Sequence, residues 1–439
     1  MEQVAKFGLG ATASFVHPFA MFALVVTVIL ILVLPRKDII IAVICFVILI
    51  PQAQQFYIGG VHLFIYRIIV LVGLIRVMCS QGHTQERRLT EGWNAIDTSF
   101  SLYVLIQTIA FSLQYAGDSG AIINQVGFIW DTLGGYFLMR SLIVDHEDIN
   151  RVLKCVAYIF ALVAVGMLIE QMYLVNLFGF IGGQLTPEIR EGSVRSVGSF
   201  RHPITAGNVA AATMPLFLFL WYRSKQWGAA ALGMIAATIM VITVHSSGPL
   251  LACAAGIIAL LFWPMRGRMR LVRWAAAFSL LVLHLVMKAP VWFLIARIDL
   301  TGSSSSFHRA NLIDQFIKRF SEWWLIGTPN NFSWGWLLQD VQNQYVSVGI
   351  EGGLGALICF IAIIIYGFSI IGNAGKSIID ERQKRCLWVI GASLFSYMIA
   401  FLGVNLFDQS RVLWFMLLAI ISAYTASLST QKNLSSATN

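Results

Sequence analysis

Charge is what this sequence has least of: Asp, Glu, Lys and Arg make up 12% of its 439 residues, against about 25% in an ordinary soluble protein. So few charges cannot cover a water-facing globule of this length, which excludes that class. Cysteine is sparse as well, with six residues, Cys45, Cys79, Cys155, Cys253, Cys359 and Cys386. All lie inside apolar blocks or at their expected cytoplasmic ends, and no CxxC or Cys/His spacing occurs. Neither a disulfide framework nor a zinc site is therefore expected. No repeat at a period of about 20–50 residues is visible, so a solenoid is not indicated. No cleavable leader is expected, because the first apolar block runs unbroken into Pro35-Arg36-Lys37.

What the chain has is apolar residues, 58% of the total, with a mean hydropathy of +0.76. They come in blocks of roughly 17–25 residues, the length that crosses a bilayer core. Candidate spans are 15–34, 39–53, 61–78, 95–113, 122–143, 152–174, 205–222, 228–245, 249–263, 273–289, 347–371, 386–406 and 411–427. Hydrocarbon offers no partner to backbone N–H and C=O groups, so each block must be helical. The expected fold is an all-α, polytopic integral membrane bundle. It forms one domain over residues 1–439 with about 12–13 spans, since 39–53 is short enough to be a half-span paired with 61–78.

The net charge of +9 does not indicate nucleic acid, because the basic residues cluster between apolar blocks. Arg36-Lys37, Arg87-Arg88, Arg223 with Lys225, Arg266/Arg268/Arg270/Arg273 and Lys376 with Arg382, Lys384 and Arg385 follow the pattern of loops retained in the cytoplasm. Placing these runs inside puts the C-terminus, with Lys432, in the cytoplasm, and the segment 430–439 is read as a disordered tail. Two segments too polar to span, about 175–204 and 290–346, then face outward. The second opens with Gly302 and Ser303–Ser306. A helical pattern follows from Phe307 to Trp324, in which Leu312, Ile313, Phe316, Ile317, Phe320, Trp323 and Trp324 recur at spacings of three and four. That helix is expected either to lie flat at the outer membrane interface or to pack on neighbouring helices.

The first outer loop holds Arg190, Arg195-Ser-Val-Gly-Ser-Phe200, Arg201-His202-Pro203 and Gly207-Asn208. Guanidinium groups grip phosphate two-pronged and stay charged, so these arginines suit an anionic ligand. Alternatively they pair with Glu188 and Glu191 and anchor to lipid headgroups. The second loop holds Phe307-His308-Arg309, Gly327-Thr328-Pro329 and Asp340-Val-Gln342-Asn343-Gln344-Tyr345. His308 and Asp340 are its plausible proton acceptors, with a surface or capping role as the alternative for the histidine. Gly349, Gly352, Gly353 and Gly355 open the next span and are expected to permit close helix packing. Arg67 and Asp131 lie within spans. Each alone is costly in lipid, so they are expected to form an ion pair, or else to meet a ligand. Glu170, near the outer end of its span, is similarly open.

Taken in order over residues 180–360, these segments resemble the O-antigen ligase/O-antigen polymerase superfamily of bacterial glycan-assembly enzymes. Its Arg-x-x-Gly-x-Phe stretch is matched by Arg195–Phe200, and its Thr-x-Ser-Arg-Gly turn by Thr243-Val-His-Ser-Ser-Gly248. An arginine opening the large outer loop is matched by Arg309, and the Pro-Leu-x-Gly turn by Leu325-Ile-Gly327. The His-Asn-x-Tyr element and the Glu-x-Gly-x-x-Gly span that follows are matched by Gln342–Tyr345 and Glu351–Gly355. Two positions depart: Ser247 stands for the turn's arginine, and Gln342 for the histidine that ligases place before Asn.

The resemblance implies a GT-C-like membrane glycosyltransferase that uses no metal or other cofactor. It would sit in the bacterial inner membrane with its site on the extracytoplasmic face. The implied partners are a polyprenyl-diphosphate-linked oligosaccharide donor, a glycan acceptor, membrane lipid and other polysaccharide-assembly proteins. The catalytic candidates are Arg309, Asp340 and His308. Arg195, Arg201, Arg190, Gln342, Asn343 and Tyr345 are candidates for binding diphosphate or substrate. Because Gln342 cannot take up a proton near neutral pH, the resemblance leans from ligase toward polymerase. Ligation to a lipid or protein acceptor is the second reading. A transporter or flippase of lipid-linked glycan is the third, and would favour inverted repeats and broken helices.

Overall fold

The computed structural model describes residues 14–59, 61–80, 92–297, 305–335 and 338–437, and 77% of the chain is helical. Helix α1 (Pro18–Val33) and helix α2 (Arg36–Leu49) meet at Pro35, which has no N–H to carry a helix onward. A short antiparallel hairpin, β1 (Gln55–Ile58) and β2 (Val61–Phe64), pairs Gln55 with Phe64 and leads into α3 (Ile65–Ser80). The expected span 61–78 is therefore corrected at its start. Its first four residues pair as a strand, and the helix begins at Ile65.

Helix α4 (Ala95–Gln114) starts from a reciprocal cap: Asn94 accepts from the backbone of Asp97, whose carboxylate accepts from the Asn94 N–H. The block expected at 122–143 is one helical run in three parts. These are α5 (Ser119–Ile129), a π-helical turn (Trp130–Gly134) and α6 (Gly135–Leu142). Helix α7 (His146–Tyr173), capped by Asp145, is followed by a small hairpin of β3 (Glu188–Arg190) and β4 (Ser193–Arg195). Helices α8 (Pro203–Ser224), α9 (Trp227–Thr243), α10 (Ser247–Leu261) and α11 (Met269–Val286) come next.

The second loop contains α12 (Leu294–Arg297), α13 (Ser305–Lys318) and α14 (Phe320–Trp323). Residues 302–304 lie outside the described part of that loop, and so do Arg87 and Arg88. Helices α15 (Gln344–Ser377), α16 (Glu381–Ala400) and α17 (Asp408–Ala437) complete the chain. The backbone from Thr430 to Ala437, read from sequence as a disordered tail, is helical.

Among the described residues, six helices are long and apolar enough to cross a membrane. They are Ala95–Gln114, His146–Tyr173, Pro203–Ser224, Trp263–Val286, Gln344–Ser377 and Asp408–Ser429. Pro18–Val33, Trp227–Thr243 and Ser247–Leu261 are apolar but shorter. The chain is thus a helical membrane protein. Its centre is α17, whose residues from Val412 to Tyr424 are all buried, as an all-round apolar helix must be when proteins rather than lipid surround it. Helices α7, α8, α9, α10 and α16 pack as one group, while α15 lies along α4 and α17 along α6. Helix α11 is the opposite case: it buries no residue and presents Leu271, Trp274, Phe278 and Leu285 outward, a surface suited to lipid.

The amphipathic helix of the second loop turns one face inward. Leu312 and Phe316 on α13 and Trp323 on α14 are buried, and Phe316 and Trp323 stack with ring centroids 3.8 Å apart. Both rings lie over Gly349 of α15, where any side chain would collide with them. Phe307, Ile317, Phe320 and Trp324 remain on the outer face. The neighbour-packing expectation holds for the first set of residues.

Candidate functional site

The site begins with a defect in a helix. Gly353 of α15 has φ +69°, outside the helical region, and the chain kinks there. The left-handed region is open to glycine, whereas a side chain would cost about 1–2 kcal/mol in backbone strain alone. A Cβ at this position would also lie 2.6 Å from the Leu325 carbonyl oxygen. A kink inside an apolar span strands backbone groups, and here other parts of the chain meet them. Leu354 N–H donates to the Trp324 carbonyl (2.8 Å), Thr328 N–H donates to the Ile350 carbonyl (2.8 Å), and the Gln114 amide donates to the Glu351 carbonyl (2.9 Å). The second loop is thereby fastened to the break, and Glu351 is placed two residues before it.

A second irregularity faces the first. The π turn at Trp130–Gly134 directs Asp131 to one side and Thr132 to the other. Asp131 takes a two-pronged bond from Arg67, at 2.9 Å from Nε and 2.8 Å from Nη2, and the third guanidinium nitrogen, Nη1, donates to the His62 carbonyl. Expected from sequence as partners, these two embedded charges satisfy each other. Gly127 leaves the room, since a Cβ there would lie 2.4 Å from the Arg67 guanidinium.

Between the kink and the π turn lies a cavity of about 260 Å³. Its walls are α4, α5, the π turn, α15 and α17, with the α16–α17 loop contributing Asn405, Leu406 and Phe407. Glu351 accepts from Ser347 (3.0 Å) and from the Gln107 amide. Arg411 donates to the Leu406 carbonyl at 3.4 Å and has no ion-pair partner among the described residues. Asp408, one turn before it, is within electrostatic reach of both Arg411 and Arg201. A line of charged groups therefore runs from the first loop at Arg201, through Asp408 and Arg411, to Glu351 in the cavity.

The first and second loops converge above this cavity. The first is pinned from below by Glu170, whose buried carboxylate accepts from the Val197 and Gly198 N–H groups at 3.0–3.1 Å. That bond resolves the role left open for Glu170: it holds the loop that carries Arg201 and His202. His202 caps α8 by accepting from the Ile204 N–H at 3.3 Å. Burial holds its imidazole below the usual histidine value. Glu188 and Asp340 oppose that shift, and Arg195 and Arg201 add to it. From the second loop, Gln342 donates to the Asp340 carboxylate (2.6 Å), and a ring nitrogen of His308 lies 3.4 Å from the Asp340 carbonyl oxygen. Asn405 ties the α16–α17 loop to the same segment through the Val341 carbonyl.

The candidate residues thus separate by what they touch. Arg201, His308, Asp340 and Gln342 gather at the rim, and Arg201 has no ion-pair partner among the described residues. Arg309, on the buried face of α13, lays its guanidinium beside Gly403 and Gly248, within about 4 Å of where a Cβ at either would sit. It therefore reaches the turn at Ser246–Gly248 in which Ser247 stands for an arginine. Arg195 is bound elsewhere, donating to Glu188 (2.7 Å) and to the Val244 carbonyl (3.3 Å). Arg190 lies 3.7 Å from Glu191 in the hairpin. Both show the carboxylate pairing weighed against ligand binding from the sequence. Asn343 caps α15 and donates to the Leu402 carbonyl, while Tyr345 donates to the Met398 carbonyl. Those two side chains position α15 against α16.

Arg411, Asp408, Gln107, Thr132 and Asn405 are lining or linking residues that sequence reading missed. Arg411 and Asp408 open a span and look like an ordinary membrane boundary. The one available signal was Gln107 and Gln114, two amides seven residues apart within an apolar block. No family model and no curated protein matches the chain.

Proposed function

We propose that the protein joins lipid-carried glycan, polymerising polyprenyl-diphosphate-linked oligosaccharide units at the extracytoplasmic face of the bacterial inner membrane. The observation that carries this reading is the distribution of arginine charge. Arg36, Arg67, Arg140 and Arg195 each meet a carboxylate at 2.7–3.3 Å, whereas Arg201 and Arg411 meet none among the described residues. Unspent guanidiniums at the rim and in the wall of a membrane cavity suit a ligand with a diphosphate head and an apolar tail. Stabilising the charge that develops on the departing diphosphate is the main catalytic task in such a transfer. In this reading Arg309 and Arg201 hold the diphosphate, and Asp340 or His308 takes the proton of the attacking hydroxyl. Gln342 orients Asp340 by its hydrogen bond.

The test is made in cells. Arg309→Ala abolishes polymer with normal protein level, and Arg309→Lys, which keeps the charge and loses the planar fork, lowers it at least tenfold. Polymer of normal length and amount in Arg309→Ala cells removes the residue from the mechanism. A transporter of lipid-linked glycan is the second reading, favoured by the broken helix at Gly353, since such breaks recur in transport proteins. It predicts loss of outer-face lipid-linked units in these variants instead of their accumulation.

A further inference from the structure

The end of the bundle opposite the two loops carries the basic runs, and its charge is divided unevenly. On one side the arginines are paired: Arg36 and Arg151 each close on Asp148 at 3.0 Å, and Arg151 lies 3.7 Å from Asp38. On the other side α8, α10 and α15 end and α11 and α16 begin. There the stretches 221–228, 262–274 and 371–386 hold ten basic residues against two carboxylates, Asp380 and Glu381. Glu381 is shared between Arg266 (3.1 Å) and Lys384 (3.0 Å). Arg223 and Arg385 meet no carboxylate among the described residues. Retaining a loop on one side of a membrane needs positive charge but no particular arrangement of it. Here the arrangement is particular. Arg266 sets its Cζ 4.2 Å from the centroid of the Trp263 ring, and Arg385 sets its own 5.6 Å from the same ring and 5.4 Å from that of Tyr222. Trp263 is steadied by Trp388, with ring centroids 5.8 Å apart, and Trp388 donates to the Ala259 carbonyl at 2.9 Å. Half-buried Arg223, next to Tyr222, is within electrostatic reach of Cys386, the neighbour of Arg385.

Three guanidiniums therefore gather where α8, α10 and α16 meet, and an anion among them offsets their mutual repulsion. Beside them the surface turns apolar. Leu261 on α10 and Leu271 and Trp274 on α11 are exposed, and α11 buries no residue against the bundle. A charged head and apolar chains are wanted together, which describes a lipid and not a free phosphate. We propose that this corner binds an anionic glycerophospholipid of the leaflet it borders. Arg223 and Arg385 hold the phosphate beside Trp263, and the acyl chains lie against α10 and α11. The proposal rests on nothing in the glycan-joining reading, whose candidate residues belong to the loop-bearing end.

The experiment is native mass spectrometry of the full chain in detergent, titrated with phosphatidylglycerol or with phosphatidylcholine of the same acyl chains. Inorganic phosphate and polyprenyl phosphate serve as competitors. Phosphatidylglycerol should bind at least tenfold more tightly than phosphatidylcholine. Arg223→Gln and Arg385→Gln should each weaken that binding at least fivefold with an unchanged melting profile. Lys37→Gln combined with Lys154→Gln removes two exposed charges from the other side of the same end, and should change it less than twofold. Glu381→Gln, which releases Arg266, should tighten binding at least twofold, a gain that misfolding cannot produce. If an arginine variant fails to fold, the Glu381→Gln result decides in its place. Equal affinity for the two phospholipids, unchanged binding in both arginine variants, or an equal loss in the lysine pair overturns the proposal. So does displacement by inorganic phosphate, or by polyprenyl phosphate at lower concentration than phosphatidylglycerol itself requires.

Discussion

Arg67 and Asp131 show what a lone charge in an apolar block means once its partner is found. Their side chains are 15% and 16% exposed, and the two-pronged geometry leaves little for a ligand. Arg67→Leu or Asp131→Leu alone strands the other charge, and each should destabilise the protein by about 3 kcal/mol. The double substitution should recover most of that loss, read as melting temperature by fluorescence-detected gel filtration. Full stability with lost activity in both single variants would point to a substrate contact instead. The sequence made this pair legible because the other charges of the two blocks, Arg76 and Arg140, stand near the block ends, whereas Arg67 and Asp131 stand deeper. Arg411 was hidden by the opposite circumstance: a charge at the first turn of a span is what any span has.

His202 yields a prediction in pH. Its ordinary value is 6.5, and burial lowers it in the folded chain. A lowered value means that the unfolded chain binds the proton more readily, so stability rises with pH across the window between the two values. The contribution is fully present above about pH 6.5 and is lost as the pH falls toward the folded value. Protonation would also cost the bond that Nδ1 accepts from the Ile204 N–H. Wild type should therefore lose melting temperature between pH 7 and pH 5 more steeply than His202→Gln. Parallel curves would remove the histidine from that effect.

At the scale of elements, the broken α15 and the π turn organise the site. The sequence shows Gly349, Gly352, Gly353 and Gly355 as a run suited to close packing, and in part that is their use. Gly349 receives Phe316 and Trp323, and Gly352 lies against the Gln107 backbone. Only Gly353 adopts φ +69°, a property that the run of glycines does not reveal because it depends on the loop that meets the break. Gly353→Ala should lower stability by about 2 kcal/mol or more through backbone strain and the clash at Leu325, and should lower activity with it. Gly372→Ala, on the regular part of the same helix with open space around it, should be neutral or gain up to about 1 kcal/mol. Equal behaviour of the two variants in a thermal melt would contradict the role given to the kink. The π turn was likewise invisible from sequence, since its apolar residues keep a helical period on either side.

At the scale of the whole molecule, apolar blocks marked nearly every helix, because block length is set by the bilayer and not by tertiary detail. Boundaries failed where loops intrude, as in the hairpin that takes the first residues of block 61–78. Sidedness rests on the basic runs and can be tested directly. In a Cys79→Ser background, Ser193→Cys and Ser333→Cys should react with an impermeant thiol reagent in intact spheroplasts. Ile379→Cys, at a 92% exposed position of the α15–α16 linker, should react only after lysis. The reverse pattern would place the loops, and the site beneath them, in the cytoplasm.

Under the function proposed above, this bundle lengthens a lipid-carried glycan at the arginine-bearing site beneath its two loops. That function is tested most directly by reconstituting the purified protein in liposomes with a polyprenyl-diphosphate-linked oligosaccharide and resolving the lipid-linked products by size. The account predicts a ladder spaced by whole oligosaccharide units, with released polyprenyl diphosphate in step, and no ladder from Arg309→Ala. Substrate that stays a single unit with active wild-type protein, or that merely changes leaflet, would contradict it.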